Sequence, residues 1–147
     1  MVAIVLTMQV YGAFINGPLP DGTRLTTSMA GELAQLGIPL AAVIVVFPFI
    51  SGLTTGIAVG FVGASFPIVF SLLGNSPSAG TVLSTTVLAF GSGFLGVMLS
   101  PIHVCLIVTN QHFKTRLHRS IVGLLAPTAT LMAIIVLWHI IVKRIWA

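Results

Sequence analysis

The sequence predicts an all-α membrane protein, a polytopic helical bundle, and three observations support that prediction. Of its 147 residues, 56% are hydrophobic and only 5% are charged, and its mean hydropathy is +1.14. A soluble domain carries about 25% charged residues, so this chain could not cover a water-facing surface. From Leu33 to Phe113 there is no Asp, Glu, Lys or Arg, a run that no soluble core of this size could enclose. We therefore expect a lipid bilayer to be its solvent and the whole chain, 1–147, to form a single transmembrane domain.

The N-terminal segment, 1–16, is apolar but short for a membrane span, which needs about 20 residues. It lacks the basic start and small-residue cleavage site of a signal peptide, so we expect the end of a helix whose beginning is missing. Two prolines and two glycines in 16–22 then break any helix. The next residues, 23–36, contain Arg24 and Glu32 among small polar residues, which favours an interfacial helix or loop.

Segment 37–74 is too long for one membrane-spanning helix. At 1.5 Å per residue it would reach about 57 Å, nearly twice the hydrocarbon thickness of about 30 Å. We predict a break at Ser51-Gly-Leu-Thr-Thr-Gly56, three residues after Pro48, where glycines flank hydroxyl side chains. The segment would then form a re-entrant hairpin or a pair of broken helices.

A polar turn at 75–80 leads into a second overlong apolar segment, 81–110. Ser78 is the expected helix cap after that turn. As one helix, 81–110 would be about 45 Å long, so it should also break. Its weak points are Gly91-Ser-Gly93 and Ser100-Pro101.

The last apolar segment, 120–142, fits one tilted transmembrane helix of about 34 Å. Aromatic and basic residues at its end are typical of a membrane interface: Trp138, His139, Lys143, Arg144 and Trp146. Three basic residues in the preceding loop, 114–119, outnumber the two at the C-terminus, which favours a cytoplasmic loop. Because the basic residues flank apolar segments, we do not expect nucleic-acid binding.

Helix breaks inside a bilayer are the predicted functional feature, because unpaired backbone is tolerated there only in a protein interior or a watery cavity. Secondary transporters use such breaks to bind substrate anions at helix N-termini and Na⁺ at free carbonyls. The candidate binding residues are Ser51, Gly52, Thr54, Thr55, Gly56, Ser92, Ser100, Pro101, His103 and Thr109. The alternative for the glycines is close helix packing, since Gly52, Gly56, Gly60 and Ala64 would form one stripe on a continuous helix.

His103 is the only ionisable side chain expected deep in the membrane, and an imidazole can carry a proton near neutral pH. The alternative is a neutral ring hydrogen-bonded to a backbone carbonyl. We expect His112, His118 and His139 to be solvated near interfaces. With no intramembrane carboxylate, ion coupling would use Na⁺ on carbonyls and hydroxyls, or H⁺ on His103. No catalytic constellation, metal motif or cofactor motif is visible, and we do not expect an enzyme.

Two motifs resemble a known family. They are Pro48-Phe-Ile-Ser-Gly-Leu-Thr-Thr-Gly-Ile-Ala-Val-Gly-Phe-Val-Gly-Ala-Ser-Phe-Pro67 and Ser100-Pro-Ile-His-Val-Cys-Leu-Ile-Val-Thr-Asn110. They resemble the C-terminal half of an uncharacterised prokaryotic integral membrane family, domain of unknown function four-hundred-and-one, in the ion transporter superfamily with the gluconate and citrate permeases. The resemblance implies a re-entrant hairpin with its tip at 51–56, and a second broken helix around Ser100-Pro101 facing the same site.

The resemblance also implies a function, since such transporters have about ten spans in two inverted halves with the site between them. We expect one half, a fragment or split subunit, of a secondary transporter for a small anionic solute in a prokaryotic cell (inner) membrane. Its partner would be an N-terminal half-transporter chain, or further copies in a homo-oligomer. The alternative is a small membrane-embedded assembly or regulatory subunit without transport activity.

Overall fold

The computed structural model describes residues 39–73 and 77–146 continuously, and before them positions 6–7, 10–11, 13–14, 17–18, 35 and 37. The described residues form α-helices and no strand, which confirms the all-helical prediction. The continuously described part contains five helices: α1 (Leu40–Thr55), α2 (Ala58–Leu72), α3 (Ala79–Leu99), α4 (Val104–His112) and α5 (Leu117–Trp146). The expected interfacial segment, 23–36, lies outside the described residues apart from Gln35. Of the expected N-terminal helix end, 6–7, 10–11 and 13–14 are described and helical.

A two-residue break separates α1 from α2. Gly56 has the left-handed conformation with φ of 66°, and its N–H donates to the Gly52 carbonyl over 2.9 Å. Only glycine adopts this conformation without a steric cost, so it ends the helix here. Ile57 is extended and α2 starts at the next residue. The prediction of a break across the whole of 51–56 is therefore wrong in extent, because 51–55 remain helical.

Helix α3 starts where Ser78 caps it, since the Ser78 hydroxyl accepts the Thr81 N–H over 3.2 Å. It then runs unbroken to Leu99, so the predicted weak point at Gly91-Ser-Gly93 is wrong. The segment stays helical because α2 packs closely against it. The Phe61 ring of α2 occupies the space in which a Cβ of Gly93 would lie. The chain leaves the helix at Ser100-Pro101 and resumes helical structure at Val104, the first residue of α4.

Helix α3 is the centre of the bundle and packs against α1, α2 and α5. The closest approach is to α1, where a Cβ at Gly52 would meet the Gly93 backbone and one at Gly96 would meet the Phe49 carbonyl. The expected continuous stripe from Gly52 to Ala64 does not form, because the chain breaks at Gly56. Gly52 nevertheless packs closely against α3. A buried apolar cluster holds α1, α2 and α3 together: Ile44, Val69, Leu88 and Ala89.

Within the described residues, two helical segments are long and apolar enough to cross a membrane: Ala79–His112, which includes the break after α3, and Leu117–Ile145. In the most apolar 18-residue stretch of the first segment, 50% of the residues are buried, whereas in that of the second segment 6% are buried. Helix α5 therefore presents most of its apolar surface outward. It extends beyond the expected 120–142 at both ends. Both α1 and α2 are apolar but shorter.

His139 departs from expectation, because it is buried, with 7% of its surface exposed, rather than solvated. It lies one turn after Ile135, which packs against the core cluster, so both side chains share the inward face of α5. Its Nδ1 atom is buried and has no hydrogen-bond partner among the described residues.

Candidate binding site at two helix breaks

The two helix breaks meet at one point of the fold. Nδ1 of His103, just before α4, lies 2.8 Å from the Gly56 carbonyl oxygen, just after α1. A carbonyl only accepts, so this nitrogen donates, and in the neutral ring Nε2 is left as an acceptor. The hydrogen bond joins residues 47 positions apart in the sequence. It matches the alternative in which the imidazole is bonded to a backbone carbonyl, and it leaves Nε2 for a proton or a ligand.

Side chains of the second break pack closely around Gly56. A Cβ added there would lie 2.9 Å from Cγ1 of Ile102, 3.1 Å from the Ser100 Oγ and 3.2 Å from the backbone nitrogen of His103. Glycine is thus required twice at this position, for its positive φ and for the space. The Ser100 side chain is fully buried, and its Oγ accepts the Ile102 N–H over 3.4 Å.

Four helix ends converge where these residues meet. The C-termini of α1 and α3 and the N-termini of α2 and α4 all lie within four residues of Gly56 or His103. The N-cap residues, Ile57 of α2 and His103 of α4, provide no side-chain cap. The first N–H groups of a helix have no intrahelical acceptor, and the helix dipole makes that end positive. The two uncapped N-termini are suited to an anion, whereas the two C-termini beside them are the negative ends of their helix dipoles and are suited to a cation.

The hydroxyls predicted as ligands are bonded back to α1. Oγ1 of Thr54 donates to the Ile50 carbonyl over 2.9 Å, and Oγ1 of Thr55 donates to the Ser51 carbonyl over 2.8 Å. Their protons are therefore engaged, and only oxygen lone pairs remain to face a ligand, which suits a cation better than an anion. Thr54 is exposed, and Ser51 and Thr55 are half-buried.

Some predicted ligands lie away from the breaks. Ser92 is buried inside α3, where its Oγ donates to the Ala89 carbonyl over 3.0 Å, two helical turns before Ser100. Gly52 is covered by Gly93 of α3. Thr109 is exposed on α4, more than a turn beyond His103, while Pro101 is exposed at the break itself. The structure thus brings together Gly56, Ser100 and His103, with Thr55 beside them.

Asn110 is an organising residue that the sequence did not identify. Its Oδ1 accepts the hydroxyls of Thr115, over 2.6 Å, and Ser120, over 2.5 Å, while its Nδ2 donates to the Leu106 carbonyl over 2.7 Å. The side chain is buried, with 6% exposed. The available signal was one amide at the end of an apolar segment just before a basic loop. Its partners lie five and ten residues later, which no helical spacing indicates.

The comparisons with known proteins give the family and no more. No curated protein and no solved structure matches the chain. A family model described as "Protein of unknown function (DUF401)" matches residues 2–142, nearly the whole chain and both motifs that carried the resemblance. The chain therefore belongs to the DUF401 family, as its two motifs predicted.

Proposed function

We propose that this chain is one half of a secondary transporter for a small anionic solute, embedded in a prokaryotic cell membrane as a multi-pass protein. The observation that carries the proposal is the convergence of two helix breaks, joined by the 2.8 Å contact between His103 Nδ1 and the Gly56 carbonyl. Broken helices facing one point are the binding device of transporters with inverted repeats. The uncapped N-termini of α2 and α4 would bind the anionic group.

Helix length supports a re-entrant arrangement for α1 and α2. With 16 and 15 residues, they span about 24 and 22 Å, less than the hydrocarbon thickness of about 30 Å. Neither helix is long enough to cross the bilayer, so the pair would enter it and turn back inside it at Gly56–Ile57. Transporter sites lie where such discontinuous helices meet within the membrane.

Exposure around the breaks supports a second half. Ile57, just before α2, is 52% exposed and Val104, the first residue of α4, is 61% exposed, so both helix N-termini lie at the surface of the described part of the chain. A solute bound there would contact water or lipid on one side unless other protein covered it. An N-terminal half-transporter chain or a second copy would enclose the site.

The two helix N-termini permit a sharp test with proline. Ala58 and Val104 are the first residues of α2 and α4, where proline removes a backbone N–H that the helix does not use. Ile57 and His103 have extended ψ angles of 142° and 111°, which a following proline tolerates. Ala79→Pro, at the first residue of α3, is the matched control away from the breaks.

The chain, purified with whatever co-purifies, would be placed in proteoliposomes and assayed for uptake of radiolabelled gluconate and citrate. We expect Ala58→Pro and Val104→Pro each to reduce uptake by about tenfold or more, since a lost charge-assisted donor is worth about 1.5–3 kcal/mol. Ala79→Pro should transport normally. Unchanged uptake in the first two variants would refute the anion site.

The second candidate, an assembly or regulatory subunit, is favoured by one observation, the apolar face that α5 presents outward. That surface could pack against a partner membrane protein. Two results would distinguish this candidate from the transporter. Neither proline variant would alter the activity of the partner in a stable complex, and a bulky substitution on the outward face of α5, such as Leu131→Trp, would prevent co-purification.

A further inference from the structure

A basic cavity lies at the turn between α4 and α5, at the opposite end of α4 from the helix breaks. It has a volume of about 480 Å³ and is lined by Lys114, Thr115, Arg116, Arg119 and Ser120. All three basic side chains are exposed and form no hydrogen bond or ion pair with any described residue. The candidate solute site uses none of these residues.

These three cations have no counter-charge in the described part of the chain, which contains no Asp or Glu. In the sequence no acidic residue follows Glu32. Arg116 and Arg119 also lie at the first turn of α5, the positive end of its dipole, where cations are disfavoured and anions are stabilised. The described part of the chain therefore supplies no anion to neutralise this basic cluster.

The turn that carries the cations is held in one conformation. Lys114 has a positive φ of 50°, and the Thr115 N–H donates to the Asn110 carbonyl over 2.9 Å. The Asn110 side chain also accepts hydrogen bonds from the hydroxyls of Thr115 and Ser120. A preorganised turn spends less entropy when it binds a ligand.

A second cavity, of about 450 Å³, adjoins the first and shares Lys114 and Thr115 with it. Its wall includes the apolar side chains of Ile107 and Leu117. A basic cavity beside a partly apolar one matches an amphiphile with an anionic head, whereas a free inorganic anion would use only the first.

We propose that the α4–α5 turn binds the phosphate group of an anionic phospholipid. The planar guanidinium groups of Arg116 and Arg119 match phosphate oxygens in pairs, and Lys114 adds a point charge. The upper part of the lipid chains would lie against Ile107 and Leu117. The proposal depends on the membrane location included in the proposed function, and it does not depend on transport.

Native mass spectrometry of the detergent-solubilised full chain, titrated with phosphatidylglycerol, would measure the affinity. The test variant is Arg116→Gln/Arg119→Gln, and the matched control is Lys143→Gln/Arg144→Gln, a basic pair at the other end of α5. We expect about tenfold or weaker binding in the test variant and a change within about twofold in the control. All four side chains are exposed, so the helix content in circular dichroism should stay unchanged. If the double variant misfolds, the single variants Arg116→Gln and Arg119→Gln should each weaken binding severalfold.

Equal weakening in the test and control variants would overturn the proposal, because it would indicate attraction to any basic residue. So would an unchanged affinity in the test variant. Inorganic phosphate forms a separate arm: if it binds as tightly as phosphatidylglycerol with the same residue dependence, the ligand is a free anion and the lipid assignment is wrong. None of these readouts involves solute uptake, so the transport proposal can fail while this one holds, and the reverse.

Discussion

At the residue scale, the contact between His103 and Gly56 joins the two breaks. One ring nitrogen donates to a backbone carbonyl, and the other makes no hydrogen bond with the described residues. Gly56 is constrained in two ways, because its left-handed φ and its crowded surroundings both disfavour a side chain. The two residues connect four helix ends through one hydrogen bond between the breaks.

Removing the imidazole should loosen this contact measurably. We expect His103→Ala to lower the free energy of unfolding by about 1 kcal/mol, the usual worth of one hydrogen bond. Asn carries a donor near the position of Nδ1, so His103→Asn should recover most of the loss. Thermal denaturation in detergent would measure both, with exposed His118→Ala as the control. A His103→Asn variant as unstable as His103→Ala would mean that the ring's packing, not its hydrogen bond, stabilises the breaks.

Two glycines with the same backbone conformation separate strain from crowding. Gly56 and Gly37 have φ of 66° and 68°, but a Cβ at Gly37 would meet no atom of the described residues within 4 Å. Gly37→Ala should therefore cost only backbone strain, about 1 kcal/mol. Gly56→Ala should cost about 1–3 kcal/mol more, since Ile102, Ser100 and His103 must move. Equal melting temperatures for the two variants would contradict the crowded junction.

At the element scale, glycines of α1 and α3 permit a close helix contact. Gly52 and Gly96 each face backbone atoms of the opposite helix, which cannot move aside as a flexible side chain would. Small residues at helix interfaces are how membrane helices gain packing contacts without a hydrophobic driving force. Gly52 and Gly96 therefore keep α1 and α3 in close contact one turn before the break that ends each helix.

Alanine at the helix interface should act in the opposite sense from alanine on an open helix face. Gly96→Ala should destabilise the fold by about 3 kcal/mol, because its Cβ would meet the Phe49 carbonyl and the Leu53 nitrogen. At Gly123 in α5 an added Cβ would meet no other part of the described chain within 4 Å, so Gly123→Ala should stabilise the helix by up to about 1 kcal/mol. Denaturation of both variants under one condition would show the sign of each effect. A stabilising Gly96→Ala would show that α1 and α3 are farther apart than this structure has them.

The element scale also shows what the sequence could predict. A break within 37–74 and one at Ser100-Pro101 follow from chain length and from proline, which are local properties. Gly91-Ser-Gly93 has the same local appearance but stays helical, because α1 and α2 pack against it. The contact of His103 with Gly56 and the burial of His139 depend on which helices become neighbours. No spacing rule within one helix contains that information.

At the scale of the whole molecule, the distribution of charge predicts an orientation for α5. Three basic residues lie at the start of this helix or just before it, and two lie at its end: Lys114, Arg116 and Arg119, then Lys143 and Arg144. An excess of Lys and Arg favours the cytoplasmic side of a membrane. The α4–α5 turn should therefore lie in the cytoplasm, where anionic lipid is also available to the basic cavity, and the C-terminus should lie outside.

Cysteine labelling in intact bacterial cells would test that orientation. Cys105 is the only cysteine, so Cys105→Ser provides a background without thiols. In that background, exposed His118 and Arg144 are each replaced by Cys and treated with a membrane-impermeant maleimide. We expect Arg144→Cys to react in intact cells, and His118→Cys to react only after permeabilisation, because α5 separates the two positions across the bilayer. The reverse pattern would invert the orientation, and labelling of both positions from one side would mean that α5 does not cross the membrane.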